Sequence, residues 1–129
     1  MCVLDTDTMA VRSLDEVFQY EVPAAVFRGS NTGNLGARRP LHTYGTIVDG
    51  QKQIGGINGG VVLYRPNGED YEAMMKQLKS YHIPSRGAEQ YFLTDFWKDR
   101  HPQGITSLPR PYNMQVHHAM SLGLSLIYI

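Results

Sequence analysis

Gly60-Val-Val-Leu-Tyr-Arg-Pro66, running on into Asn67-Gly-Glu-Asp-Tyr-Glu-Ala-Met-Met-Lys-Gln-Leu78, decides the fold class. The first half is apolar, β-branched and bounded by glycine and proline, the profile of a buried strand. The second half starts a helix at Asn67 or Gly68, with Glu69 and Asp70 in the first turn, where the helix dipole favours carboxylates. Tyr71, Met74, Met75, Leu78 and Tyr81 then fall at i, i+3, i+4, i+7 and i+10, an apolar stripe broken by Pro84 and expected to be core. A second helix is expected over residues 88–98, where Leu93, Phe96 and Trp97 share a face. Upstream, residues 22–28 (VPAAVFR) predict another strand, and Ser13 with Glu16 three residues on predicts a capping box opening one helical turn through Phe18. Strand and helix alternate with short turns, which argues for an α/β layered domain.

The 129 residues fit a single domain. Twelve Lys+Arg balance twelve Asp+Glu, so no basic excess draws nucleic acid. Cys2, the only cysteine, excludes an internal disulfide and reads as a small buried apolar residue. No apolar run reaches the roughly 18–20 residues that cross a bilayer, and Asp5 and Asp7 come too early for a signal peptide, so the chain reads as soluble with its compartment open. Nine of the 13 glycines lie in residues 29–60, with Asn31, Asn34 and Pro40 among them, which predicts a long functional or mobile loop. The apolar start at residues 1–4 reads as the end of a buried strand whose pairing partners lie upstream. Residues 121–129 alternate small or polar with aliphatic residues, as either an edge strand or a tail unrelated to the domain of residues 1–120.

Val3-Leu-Asp5-Thr6-Asp7 puts two carboxylates two apart at the C-terminal end of an apolar strand, where i and i+2 share a face. Such a pair can hold one hard cation, Mn²⁺ or Mg²⁺, and leave positions for phosphate oxygens. Taken alone, the pair equally fits solvated turn residues.

The surrounding residues extend the pattern. Val3-Leu-Asp-Thr-Asp-Thr-Met9, Ser13-Leu-Asp-Glu-Val-Phe18 and Val22-Pro-Ala-Ala25 together resemble the metal-binding segment of glycogenin-like family 8 glycosyltransferases. Three more blocks follow in that family's order: Gly56-Ile-Asn-Gly-Gly-Val-Val-Leu63 looks like its F-N-S-G-V strand, Glu89-Gln90-Tyr-Phe-Leu93 like its D-Q-x-x-L helix start, and Leu108-Pro-Arg-Pro-Tyr-Asn113 like its L-P-x-x-Y-N segment. The resemblance covers residues 3–116. It implies a GT-A type fold and transfer of a sugar from a nucleotide-sugar donor, typically a UDP-sugar, to an acceptor it does not identify, with retention at the anomeric carbon. It further implies that Asp5 and Asp7 hold the metal, Asp5 also facing the donor, that Asn58 and Gly59 contact the sugar, and that Glu89 and Gln90 serve the chemistry. Without the flanking blocks Asn58 reads rather as a turn residue beginning a strand, and the competing account of Glu89 is a helix N-terminal carboxylate.

Two features depart from the family. Glu89 stands where the family has Asp, which moves the carboxylate by over an ångström. The family's late His ligand, in a stretch ending near Lys-Pro-Trp, has no counterpart: His117 and His118 follow Asn113 too closely, and adjacent helical positions point about 100° apart. The resemblance is therefore to part of the family's domain, without its N-terminal nucleotide-binding strands, and the isolated chain is expected to be inactive. Two rival readings stand beside it. One is a non-catalytic relative acting as an interaction module. The other is a haloacid-dehalogenase-type phosphatase using Asp5 and Asp7, with Asp95 and Asp99 as its later acids; Met9 occupies the place where that pattern has Thr or Val.

Overall fold

A computed structural model describes residues 1–6, 8, 10, 13–28, 36–43, 46–48, 51–52, 55–82 and 88–113. In chain order the strands are β1 (Cys2–Leu4), β2 (Ala24–Phe27), β3 (Arg38–Arg39), β4 (Ile47–Val48), β5 (Gln51–Lys52), β6 (Ile57–Leu63) and β7 (Ile105–Ser107). Two α-helices, α1 (Gly68–Leu78) and α2 (Ala88–Arg100), and two 3₁₀ turns, Asp15–Gln19 and Arg110–Asn113, complete the described elements. The fold is mixed α/β. Five strands form one sheet in the order β1-β6-β2-β7-β3, with β2 and β7 parallel and every other pair antiparallel, while β4 and β5 pair only with each other.

Period-2 alternation, its phase reset along β6 where the register with β2 shifts between Ala25 and Val26, sorts the sheet residues onto two buried faces. Val62 and Ala25 join Ile57 and Ile105 beneath Phe92, Phe96 and Trp97 of α2. On the reverse face Val61, Leu63, Ala24 and Val26 pack with Val17 of the first 3₁₀ turn and with Leu108. A strand covered on both sides has no polar face, which is why the C-terminal part of β6, Val61-Val62-Leu63, reads as an unbroken apolar run. Each such Val, Leu, Ile or Phe side chain contributes roughly 1.5–3 kcal/mol by leaving water.

Asn67 caps α1, its side chain accepting the Asp70 N–H at 2.8 Å and donating to Asp70 Oδ2 at 2.7 Å. Arg100 of α2 also donates to Asp70. Burial acts to raise the Asp70 carboxyl, yet the hydrogen bonds from Asn67 and Arg100 hold it below its ordinary value. At the other end of the helix pair the Tyr81 hydroxyl donates to Asp95 Oδ2 at 2.7 Å, and Lys98 Nζ lies 3.5 Å from Asp95 Oδ1.

Several sequence expectations need correction. The stripe on α1 divides: Met74 and Tyr81 pack against the core, whereas Tyr71, Met75 and Leu78 are exposed. Successive helix positions turn by about 100°, so Met75 faces away when Met74 faces in, and the clamp on Asp70 fixes that rotation. The expected loop of residues 29–60 contains β3, β4, β5 and the start of β6, because two-residue strands are too short to show a period. The strand expected over residues 60–66 begins earlier, at Ile57, and ends at Leu63, with Gly59 and Gly60 inside it. The expected strand of residues 22–28 is confined to Ala24–Phe27, and α2 runs two residues past Lys98. At Ser13 no capping box forms: its Oγ accepts the Asp15 N–H at 3.1 Å, and the turn is 3₁₀ with Leu14 at its cap. The tail of residues 121–129, His117 and His118 lie outside the described residues. Among the described residues no helix is long and apolar enough to cross a membrane.

Candidate functional site

The chain leaves β1 at Leu4 and is held against β6 as it turns. The Asp5 N–H donates to Gly60 O at 3.0 Å, and the Thr8 hydroxyl donates to the same carbonyl at 3.2 Å. The Asp5 carboxylate is exposed and accepts the Thr6 N–H at 2.7 Å, while Thr8 N–H donates to Asp5 O at 3.0 Å. Asp7 lies outside the described residues.

Opposite this turn β6 is irregular on its β2 side. Ala25 pairs with Val62 but the next residue, Val26, pairs with Asn58, so residues 59–61 have no partner on β2. Asn58 Oδ1 accepts the Gly60 N–H at 3.1 Å, bracing the irregularity from within. The Gly59 N–H donates to Gln90 Oε1 at 3.2 Å, and a Cβ on Gly59 would lie 3.3 Å from Gln90 Cβ and 3.4 Å from Glu89 Oε1. Absence of that side chain lets the start of α2 approach the strand. Four residues on, the buried Thr94 hydroxyl accepts the Ile57 N–H at 3.1 Å and donates to Gln90 O at 2.6 Å. Asn113, at the end of the second 3₁₀ turn, donates from Nδ2 to Asn58 O at 3.4 Å.

Asp5, Thr6, Gly59 and Glu89 border one end of a cleft of about 540 Å³, whose apolar wall includes Val62, Leu93 and Trp97. Asn58 and Gln90 sit beside the cleft rather than on its lining, the Gln90 amide committed to Gly59. Segments far apart in sequence thus meet at one place: the end of β1, the Gly59-Gly60 step, the start of α2 and the Tyr112-Asn113 turn. The cleft has an anionic rim over an apolar wall, able to take a cation and an organic group together. Among the described residues no three His, Cys, Asp or Glu side chains converge on one point. Asp95 is engaged by Tyr81 and Lys98, as part of the tie between the helices rather than of the cleft.

Thr94 was not singled out by sequence reasoning. Its signal is a hydroxyl among Phe92, Leu93, Phe96 and Trp97 on a core-facing helix, four residues after Gln90, where a buried polar atom needs a partner. No family model, curated protein or solved structure matches the chain.

Proposed function

We propose that the chain carries the metal and donor-sugar segment of a glycogenin-like retaining glycosyltransferase of GT-A type, acting on a UDP-sugar. The supporting observation is the shared cleft of Asp5, Gly59 and Glu89, three residues that the family resemblance assigns to the site from three separate blocks. Hard carboxylate oxygens suit Mn²⁺ or Mg²⁺, so the donor chemistry of Asp5, with Asp7 two residues on, fits the cation. When bound, that cation stabilises the leaving diphosphate as a Lewis acid.

The chain's own residues divide the remaining work. Asp5 binds at the cleft rim, exposed and already oriented by the Thr6 N–H. Gly59 offers bare backbone to a sugar, and Asn58 keeps its Nδ2 without a partner among the described residues and so able to donate. Glu89 sets a negative charge facing a positive anomeric centre, and Gln90 holds Gly59 at the helix start.

Titration calorimetry with UDP, with and without Mn²⁺, tests this on the wild type and on Asp5→Ala. Weak, metal-dependent binding that vanishes in a folded Asp5→Ala is expected. Binding that ignores the metal or survives the substitution overturns the reading. Glu89, standing where the family has Asp, favours a second reading, a non-catalytic relative that acts as an interaction module. A folded wild type that shows no metal-dependent UDP binding would carry it.

A further inference from the structure

We propose that α1 is the contact helix of a homodimer, packing antiparallel against α1 of a second copy. Tyr71, Met75 and Leu78 are 61%, 42% and 40% exposed, spaced i, i+4 and i+7 along one flank of the helix, and no described residue covers them. That spacing is the seam through which helices interlock. Phe18, 59% exposed, borders the same cleft as Tyr71 and widens the apolar area towards what an interface between copies needs.

The charges beside the seam select the occupant and its direction. Exposed Glu72 lies on the N-terminal half of α1, exposed Lys76 near its end and Lys79 at its C-cap, and none of the three has an ion-pair partner among the described residues. Parallel packing of two such helices sets acid on acid and base on base. Antiparallel packing about a two-fold axis beside Met75 sets Glu72 of each copy against the partner's Lys79, so the patch is complementary to itself. A closed two-fold interface has this property, each residue meeting its counterpart's complement. The proposal is independent of the glycosyl-transfer reading.

Sedimentation velocity over a concentration series tests it on the intact chain. Wild type is expected to shift from 14.5 kDa to twice that mass as concentration rises. Glu72→Lys and Lys79→Glu should each weaken the dimer about tenfold, and the double charge swap should restore it. Met75→Glu should leave a monomer. All these positions are exposed, so helical circular dichroism should be unchanged and a lost dimer cannot be ascribed to unfolding. A chain that stays monomeric up to about 1 mM, weaker than a specific association, overturns the proposal. So does a dimer indifferent to Glu72→Lys and Met75→Glu, or one that the double swap fails to restore.

Discussion

The Asn113 amide lies where a side chain on Gly60 would have to go: its Oδ1 and Nδ2 lie 2.8 and 2.9 Å from the Cβ position of residue 60. The contact joins the middle of β6 to the last described turn, and Asn113 also donates to Asn58 O at 3.4 Å. Gly60→Ala therefore forces the amide aside, with an expected loss of about 1 kcal/mol, because only the end of one side chain must move. Gly104→Ala should be worse, about 3 kcal/mol or more: its φ is +91° and a Cβ there runs into the backbone of Arg39. Chemical denaturation of the two variants checks the order, and a Gly60→Ala loss equal to that of Gly104→Ala would contradict it.

Thr94 joins α2 to β6 through one hydroxyl, 1% exposed, that both accepts from Ile57 and donates to Gln90. Thr94→Val keeps the shape and removes the acceptor, leaving the Ile57 N–H buried and unpaired. The expected cost is about 1–3 kcal/mol. Thr94→Ser keeps the hydroxyl and should recover much of that loss. Because Gly59 depends on the same helix start, UDP binding by Thr94→Val should also weaken in the metal-dependent calorimetry.

Leu78 tests how α1 sits. At 40% exposure Leu78→Ala should change stability by no more than about 0.5–1 kcal/mol, whereas Phe96→Ala, at 3% exposure, should cost about 3–5 kcal/mol. Equal losses at the two positions would place the Leu78 flank in the core and remove the basis of the proposed dimer seam.

What the sequence made legible follows from whether the cause was local. The Asn67 cap and its acidic first turn are local, and so is the aromatic face of α2; both helices stand where they were expected. β3 has no local cause. Arg38 and Arg39 become a strand because Ser107 N–H donates to Ala37 O at 2.9 Å and the Arg38 guanidinium forks onto Glu21 at 2.9 and 3.0 Å, with a further bond to Gly104 O. Those partners lie 17 to 70 residues away. On α1 the apolar period marked a stripe wider than the surface available to cover it. For the cleft, spacing alone offered only the Asp5-Thr6-Asp7 step. The approach of Gly59 to Glu89 had no local signal, because no periodicity relates β6 to the start of α2.

Tyr81 gives a prediction in pH. Burial, together with the hydrogen bond to the Asp95 carboxylate and the charge it carries, disfavours the phenolate and pushes the Tyr81 hydroxyl from 10.0 up to about 12. An unfolded chain loses this proton near the ordinary value, so between the two values the folded state binds more protons than the unfolded one. The contribution is fully present below about pH 10 and is lost as pH rises through about 12. Tyr81→Phe lacks both the bond and the titration. The variant should be less stable than wild type by about 1 kcal/mol at neutral pH. That gap should narrow between pH 10 and 12, where only the wild type loses stability through Tyr81. Urea midpoints taken in steps across this range measure the gap directly, and the other tyrosines cancel in the comparison. A gap that stays constant to pH 12 would show that Tyr81 ionises alike in both states and that its bond to Asp95 does not hold the α1–α2 junction.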